Sequence, residues 1–169
     1  MLLLKFCKTR KVKSPERGHA TDAGIDFFVP YDFEEENLYF GEDILIPSGI
    51  KMEIPPGYAL VQFNKSGIAT KEQLIVGACV IDEGYQGEIH LHVINVGEHA
   101  TKIFPGMKIM QGLLIPVPSV TIVEKDEVDL FSKKSARGSD GFGSTSRVDE
   151  DDLSIIDMAR HLANYGGSK

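Results

Sequence analysis

The sequence has few of the features that mark a membrane protein or a disulfide scaffold. No apolar run approaches the roughly 20 residues that a transmembrane helix needs. The apolar start is broken by Lys5 and Lys8, so it predicts a first strand rather than a signal peptide. Only two cysteines occur, Cys7 and Cys79, and their spacing matches neither a metal site nor a disulfide framework. We expect a protein of the reducing cytoplasm with no membrane partner.

Positive charge is scarce as well, since the net charge is −7. The acidic residues gather in runs at 34–36 and 149–152, and no basic stripe accompanies them. Because proteins that bind nucleic acid carry basic surfaces that neutralise phosphates, we expect no nucleic-acid partner. Both acidic runs are most simply solvated surface. A phosphate-bearing ligand would therefore need a pocket that is locally cationic and lined with amides.

Short apolar runs punctuated by glycine and proline dominate the chain. Its 169 residues suffice for one ordinary domain, and 42% hydrophobic with 25% charged residues is typical of a globular protein. The apolar runs lie at 44–46, 59–63, 89–94 and 109–117. The turn signals lie at 47–49, 55–57, 82–84 and 104–106. Short runs rich in Val and Ile predict an all-β protein, an antiparallel sandwich or barrel.

Three segments depart from the strand pattern. Residues 66–73 could form a short helix, and residues 152–165 have apolar side chains at helical spacing after an acidic start. Residues 133–147 are rich in Ser and Gly and predict a mobile arm. The sequence therefore predicts a β domain over 1–132, the arm over 133–147 and an acidic helical tail over 148–169. The apolar stripe of the tail helix would dock on its own assembly or on a protein partner.

Two glycine-containing segments could bind phosphate. Residues 64–67 (NKSG) follow an apolar run, where an ordinary turn is the simpler interpretation. Residues 137–145 carry Arg137 and Phe142 among glycines and hydroxyl side chains, which a flexible linker has little reason to do. Backbone N–H groups, hydroxyls and an arginine fork can wrap phosphate oxygens. A linker and a phosphate site are equal alternatives for this segment on its own.

Residues 80–87 are predicted to form a β-hairpin because of their alternation and central glycines. Asp82 and Tyr85 flank the tight turn, so a carboxylate and an aromatic ring could face one pocket. Asp82 could also simply satisfy the turn, and Tyr85 could also simply cover the edge of the core.

Five segments occur in one order along the chain, at 19–26, 64–67, 77–87, 106–111 and 137–145. Together they closely resemble the five motifs of the trimeric dUTPase family. The resemblance implies a β jelly roll that assembles as a homotrimer, with each site taking its hairpin from one subunit and its arm from another. It also implies hydrolysis of dUTP to dUMP and pyrophosphate with Mg2+. This reaction would remove dUTP from the nucleotide pool and supply dUMP.

The resemblance also assigns roles to individual residues. Asp82 would be the general base that activates water for attack on the α-phosphorus, and Tyr85 would pack against the deoxyribose. The backbone of residues 77–82 would read uracil, and Asp26 and Gln111 would each hold Mg2+ through water. The residues that would bind substrate are Lys65, Ser66, Gly67, Cys79, Val80, Ile81, Tyr85, Gln111, Arg137, Phe142, Gly143, Ser144 and Thr145.

Three positions depart from the family pattern. Lys65 and Lys108 stand where the family usually has arginine, which replaces a bidentate fork with a point charge. We expect each replacement to weaken phosphate binding by about 1 kcal/mol, the contribution of one hydrogen bond. For Lys108 we predict a structural role. Cys79 stands in the base-reading hairpin at a position where glycine is common.

Other functions are disfavoured by particular residues. The related dCTP deaminases carry a catalytic glutamate on the strand after the hairpin, whereas His92 stands at the matching position here. Tyr85 also suits a dUTPase better than a deaminase. A regulatory protein on a dUTPase scaffold, with the tail helix as its docking element, is a further alternative. His90 and His92 could bind a metal together, but no third ligand is evident.

Overall fold

The computed structural model describes residues 2–139, and these fall into two units that meet in sequence between Thr121 and Ile122. In the second unit, residues 122–139 are exposed and contain one short helix, α1 (Glu127–Leu130). Strands make up the first unit, which confirms the predicted all-β class. The eleven strands of the described residues are β1 (Lys5–Lys8), β2 (Ile25–Phe28), β3 (Glu36–Leu38), β4 (Asp43–Pro47), β5 (Ile50–Glu53), β6 (Tyr58–Asn64), β7 (Leu74–Val76), β8 (Val80–Ile81), β9 (His90–Asn95), β10 (Thr101–Ile103) and β11 (Lys108–Pro116).

The strands pair antiparallel in small sheets, as a jelly roll requires. The largest sheet has the order β2-β11-β6-β8, and a second has the order β4-β9-β7. Two-stranded sheets join β1 to β5 and β3 to β10. Strand β6 lies between β11, which pairs with it from Met110 to Pro116, and β8, which pairs at Leu60 and Val61.

Alternation along the strands explains where the core lies. In β5, Ile50 and Met52 are buried while Lys51 and Glu53 face solvent, because successive side chains point to opposite faces. The core includes Leu60, Leu91 and Ile103 from three different strands, each 0% exposed. Burying these side chains stabilises the fold by about 1.5–3 kcal/mol each.

The predicted turns are confirmed by their backbone geometry. Each turn signal contains a glycine with a positive φ, a conformation that residues with a Cβ rarely adopt. These glycines are Gly49 (75°), Gly57 (78°), Gly84 (83°) and Gly106 (77°).

Several predicted elements differ in position. The first strand begins at Lys5, after the apolar start, because residues 5–8 pair with β5. The helix predicted within 66–73 is a single π-helical turn, Ile68–Glu72. The helix predicted at 152–165 lies outside the described residues, and α1 was not predicted. Within residues 2–139, no helix is long and apolar enough to cross a membrane.

Candidate active site

A cleft of about 410 Å³ forms where β2, the end of β6 and the start of β11 meet. We call it the cationic cleft after the ammonium groups of Lys65 and Lys108, whose charges are balanced by the carboxylates of Asp22 and Asp26. Strand β11 brings these elements together, since Gln111 lies opposite Asp26 on one side and Phe63 on the other. The cleft is lined by Gly18, His19, Asp22, Ala23, Gly24, Asp26, Lys65, Lys108 and Gln111.

The Asp26 carboxylate binds both lysines of this cleft, although Asp26 is only 4% exposed. Lys65 Nζ donates to Oδ1 at 2.5 Å, and Lys108 Nζ donates to Oδ2 at 2.7 Å. Burial by itself would raise the pKa of Asp26, but the hydrogen bonds and charges of Lys108 and Lys65 outweigh it, so the pKa lies below the ordinary value. The hydrogen bond to Asp26 likewise raises the pKa of Lys108. The Asp26 carboxylate and the Lys108 ammonium group are therefore charged at neutral pH.

Gln111 borders the same cleft with its amide. Its Nε2 donates to the carbonyl oxygen of Asn64 at 2.8 Å, which orients the side-chain oxygen. A Cβ on Gly24 would lie 2.0 Å from this Gln111 oxygen, so a larger residue at this position would require the Gln111 side chain to shift. The cleft thus combines cationic and amide donors with oxygen acceptors.

A second cavity, of about 240 Å³, opens between β8 and β9. It is lined by Leu45, Gln62, Ala78, Cys79, Val80, Ile81, Tyr85, Glu88, Ile89 and His90. The chain follows β9 as far as Gly77, whose N–H donates to the carbonyl oxygen of His92 at 3.0 Å. It then crosses to β6, where the N–H of Gln62 donates to the carbonyl oxygen of Cys79 at 2.7 Å.

The predicted hairpin at 80–87 is therefore wrong in its pairing. The chain does reverse, because Tyr85 N–H donates to the carbonyl oxygen of Asp82 at 3.2 Å and Gly84 has a positive φ. However, β8 pairs with β6, opposite Leu60 and Val61. This pairing buries Ile81 against the core, and it leaves the two arms apart with the cavity between them.

Tyr85 folds back along its own loop. Its hydroxyl donates to the carbonyl oxygen of Glu88 at 2.9 Å. A Cβ on Gly87 would lie 2.3 Å from the Tyr85 hydroxyl oxygen, so the ring lies directly over Gly87. The ring is 44% exposed and forms one wall of the cavity, as a group that packs against a sugar would.

Asp82 is exposed at the tip of this loop and lines a neighbouring cleft of about 550 Å³. That cleft also includes Gly57, Tyr58 and Ser119. The turn is tied to the adjacent loop because Gly57 N–H donates to Glu83 Oε2 at 2.7 Å. Asp82 thus stands beside the cavity and not among its lining residues.

The His92 ring positions a neighbouring segment of the chain. Ala78 N–H donates to His92 Nδ1 at 2.8 Å, so the ring proton lies on Nε2, which is 3.0 Å from Asp43 Oδ2. A Cβ on Gly77 would lie 2.1 Å from Nδ1. His92 therefore holds the segment that leads into the cavity. No group of three or more His, Cys, Asp or Glu side chains in residues 2–139 could hold a metal ion.

The predicted site residues separate into groups. Asp26, Lys65 and Gln111 share the cationic cleft, whereas Cys79, Val80, Ile81 and Tyr85 line the cavity. Ser66 and Gly67 follow β6, and the backbone carbonyl oxygen of Ser66 accepts a hydrogen bond from the Thr70 hydroxyl at 2.7 Å. Arg137 belongs to the second unit. The residues Phe142, Gly143, Ser144 and Thr145 lie outside the described part of the chain.

Comparison with known proteins gives a consistent result. The dUTPase family model matches residues 10–146. The deoxyuridine 5'-triphosphate nucleotidohydrolase of Gloeothece citriformis is 40% identical over 145 residues, covering 84% of this chain and 95% of that protein. The enzyme of the same name from Clostridium acetobutylicum is 40% identical over 133 residues, covering 78% and 87%. The structure of Staphylococcus bacteriophage 80alpha dUTPase with dUpNHpp has a TM-score of 0.75 at 26% identity, covering 85% of this chain and 98% of that one.

The family match begins at Arg10, spans the rest of the β unit and ends at residue 146. It includes both the cationic cleft and the cavity between β8 and β9. This chain belongs to the dUTPase family.

Proposed function

We propose that the chain hydrolyses dUTP to dUMP and pyrophosphate in a homotrimer whose sites are shared between subunits. One observation carries the proposal. The cavity contains Gln62 of β6, and the cationic cleft contains Lys65, which directly follows β6, so one segment of the chain can position a base and its phosphates together. The names of the relatives and the dUpNHpp bound to the phage enzyme support the same substrate.

The cavity suits a pyrimidine base and a deoxyribose. Residues 78–81 border it, and buried polar groups that pair with a base can reject analogues by factors of about 10⁴. The Tyr85 ring on its wall leaves little room for a ribose 2′-hydroxyl. Cys79 lines this cavity, and its backbone carbonyl oxygen accepts the N–H of Gln62 on β6.

Asp82 is proposed as the general base. It takes a proton from a water molecule while the water oxygen forms a bond to the α-phosphorus. The bond from the α-phosphorus to the bridging oxygen breaks, and pyrophosphate leaves with the bonding electrons. The exposed position of Asp82 beside the cavity is compatible with a water molecule that approaches from the neighbouring cleft.

The side-chain oxygens of the cationic cleft are suitable for holding an Mg2+ ion through water molecules. Both oxygens of Asp26 already accept from lysines, but a carboxylate oxygen has a second lone pair for a metal-bound water. Gln111 adds an amide oxygen, and such sites commonly use one or two carboxylates with substrate phosphates. When bound, Mg2+ would neutralise charge on the phosphate oxygens. Lys65 would add a direct ammonium contact to the phosphates.

The arm of a neighbouring subunit is proposed to complete the site. Arg137 would bind phosphates, Phe142 would stack on uracil, and Gly143 to Thr145 would close over the chain of phosphates. Closure of this kind excludes water and orders the reactants. The free thiols of Cys7 and Cys79 suit the reducing cytoplasm, where the reaction would limit dUTP and supply dUMP.

Pyrophosphate release from dUTP, dCTP, dTTP and UTP, with and without Mg2+, tests the proposal. We expect release from dUTP alone among the four, with a requirement for Mg2+. Formation of dUTP from dCTP without pyrophosphate would instead indicate a deaminase. That outcome is not expected, because the His92 ring is already bound to Ala78 and Asp43.

A further inference from the structure

The loop of residues 82–88 carries both Asp82 and Tyr85, so its position decides where the proposed base and the proposed sugar contact lie. Residues 83–86 of this loop line a cavity of about 620 Å³ together with residues of β1 and β5. Packing of the loop against these two strands is therefore incomplete. A segment with few packing contacts moves easily unless other contacts hold it.

Two glutamates provide such contacts, one near each end of the loop. Glu83 Oε2 accepts the backbone N–H of Gly57 at 2.7 Å, and Glu88 Oε1 accepts the backbone N–H of Gly49 at 2.6 Å. Because the acceptor is a charged carboxylate, these are strong hydrogen bonds of their kind. The resemblance to the dUTPase family implies no role for either glutamate.

The two donors are the glycines of the turns on either side of β5. Gly49 lies before this strand and Gly57 after it, and both have a positive φ. The N–H of Thr9 donates to the carbonyl oxygen of Gly49 at 2.8 Å, and the N–H of Val117 donates to that of Gly57 at 2.7 Å. Strand β5 itself pairs with β1 over its whole length. The glutamates therefore connect the loop to turns that the sheet already holds in place.

The first contact lies beside the proposed general base. Glu83 directly follows Asp82, and both residues line the neighbouring cleft of about 550 Å³. Because the two residues share a peptide unit, the bond between Glu83 and Gly57 restricts the backbone that directs the Asp82 carboxylate. A general base must lie within hydrogen-bond reach of the water that it deprotonates, so a small displacement of Asp82 lowers turnover.

The second contact lies beside the Tyr85 ring. The backbone carbonyl oxygen of Glu88 accepts the Tyr85 hydroxyl at 2.9 Å. The Glu88 carboxylate also lies 3.9 Å from Arg10 Nε, and the Glu88 side chain is only 22% exposed, so its charge is incompletely screened by solvent. Fixing Glu88 therefore fixes the part of the backbone to which the ring is bound.

We propose that Glu83 and Glu88 are positioning residues that anchor the loop of residues 82–88 to the two turns flanking β5. This inference rests on the proposed function. Glu83 positions the general base and so affects turnover, whereas Glu88 positions the Tyr85 ring and so affects the choice between deoxyribose and ribose. A general loosening of the fold would instead change both properties together.

Steady-state kinetics with dUTP and UTP tests the proposal in Glu83→Leu and Glu88→Leu, since leucine has no acceptor oxygen. Glu83→Leu should lower kcat about fivefold for both nucleotides, the effect of one lost hydrogen bond, with the KM for dUTP unchanged. Its ratio of kcat/KM for dUTP over UTP should also stay unchanged. Glu88→Leu should lower that ratio about fivefold. Glu83→Gln and Glu88→Gln keep an acceptor oxygen and should retain the wild-type values.

Glu53→Leu is the matched control, since Glu53 is an exposed glutamate of β5 whose carboxylate accepts from Lys5 at 2.9 Å. Its kinetics should equal those of the wild type. The proposal would be overturned by wild-type kinetics in both leucine variants of the loop, or by the same change of turnover and of the ratio in both. Glutamine variants as impaired as the leucine variants would also overturn it, because charge and not the hydrogen bond would then be responsible.

Hydrogen exchange of the two glycine N–H groups provides a second test that does not depend on activity. The Gly57 N–H should exchange about fivefold faster in Glu83→Leu, and the Gly49 N–H about fivefold faster in Glu88→Leu, each without a change at the other glycine. Wild-type exchange at both glycines would overturn the two anchors. Failure of the proposed function is distinguishable, because the wild-type protein would then release no pyrophosphate from dUTP while the exchange rates would still respond.

Discussion

Asp26 shows at the scale of single residues how one buried charge joins separate motif segments. It lies on β2, whereas Lys65 follows β6 and Lys108 begins β11. Both carboxylate oxygens accept hydrogen bonds from ammonium groups, so the charge is compensated where water is largely excluded. The structural role predicted for Lys108 has this contact as its physical basis, and the ammonium group also lies 5.6 Å from the centre of the Phe28 ring.

Asp26→Asn should lower the free energy of unfolding at neutral pH by about 1–2 kcal/mol, because both lysines would lose a charged acceptor. The hydrogen bonds from Lys108 and Lys65 overcome the effect of burial and lower the pKa of Asp26 from 3.8. The wild type therefore has this stabilisation above pH 3.8 and loses it as the pH falls through the lower pKa of the folded state. Urea unfolding of both proteins across the acidic range measures the difference. A difference that stays constant as the pH falls below 3.8 would contradict the charge-based explanation.

The Tyr85 ring should decide between deoxyribose and ribose. In Tyr85→Ala the ratio of kcat/KM for dUTP over UTP should fall about tenfold, because space for a 2′-hydroxyl becomes available. Gly87→Ala should have a similar effect without removing the ring, since its Cβ would lie 2.3 Å from the Tyr85 hydroxyl oxygen. Tyr85→Phe keeps the ring and should keep most of the discrimination. If both alanine variants keep the wild-type ratio of kcat/KM for dUTP over UTP, the Tyr85 ring does not contact the sugar.

At the scale of elements, the sequence predicted strands better than it predicted their partners. Strands β4, β6, β9 and β11 each coincide with an apolar run between turn signals. Alternation identifies which side chains share a face, but it does not identify the neighbouring strand. The arm at 80–81 was therefore assigned to a hairpin, although its partner is β6, about 20 residues earlier in the chain.

The same limit explains which site residues were missed. Asp26, Lys65 and Tyr85 lie in the motif segments that carry the resemblance to the family, and the resemblance implies their roles. Gln62 and His92 act through partners 28 and 14 residues away, which local spacing does not reveal. A polar residue inside the apolar run 59–63 was the one available signal for Gln62.

Truncation after Ser135 should leave a folded trimer with poor turnover. The first unit contains the described strands and ends at Thr121, so its core does not depend on the residues removed. The value of kcat/KM for dUTP should fall on the order of 10²-fold, because the arm is proposed to order the reactants. Circular dichroism and size exclusion check the fold, and steady-state kinetics checks the activity. Wild-type turnover by a folded truncated protein would eliminate the proposed role of the arm.

At the scale of the whole molecule, the proposed site needs more than one subunit. The first unit alone contains the cavity, the cationic cleft and Asp82. Arg137 and the rest of the arm belong to the part of the chain after this unit. Assembly into a trimer is proposed to bring the arm of one subunit to the cavity of another, so that activity depends on association.

Mixed trimers provide a direct test of sharing. Asp82→Asn should reduce turnover by about 10²–10⁴-fold, as loss of a general base does, and the protein truncated after Ser135 should also be poor. When the two variants are refolded together in equal amounts, about one quarter of the sites should combine an intact Asp82 with an intact arm. Activity should then rise well above that of either parent. Activity equal to the mean of the two parents, in trimers confirmed to be mixed, would show that each subunit forms its own site.

Strand β6 also sets the distance between the cavity and the cationic cleft. Gln62 at the cavity and Lys65 at the cationic cleft are separated by three residues of nearly extended chain, or roughly 10 Å. Pairing with β11 along one edge and β8 along the other prevents the strand from sliding, since a shift of one residue would turn every side chain to the opposite face. Under the proposed function, this pairing would fix the distance between the site of the base and the site of its phosphates. A ligand whose base and phosphates are spaced differently would then occupy one end of β6 without reaching the other.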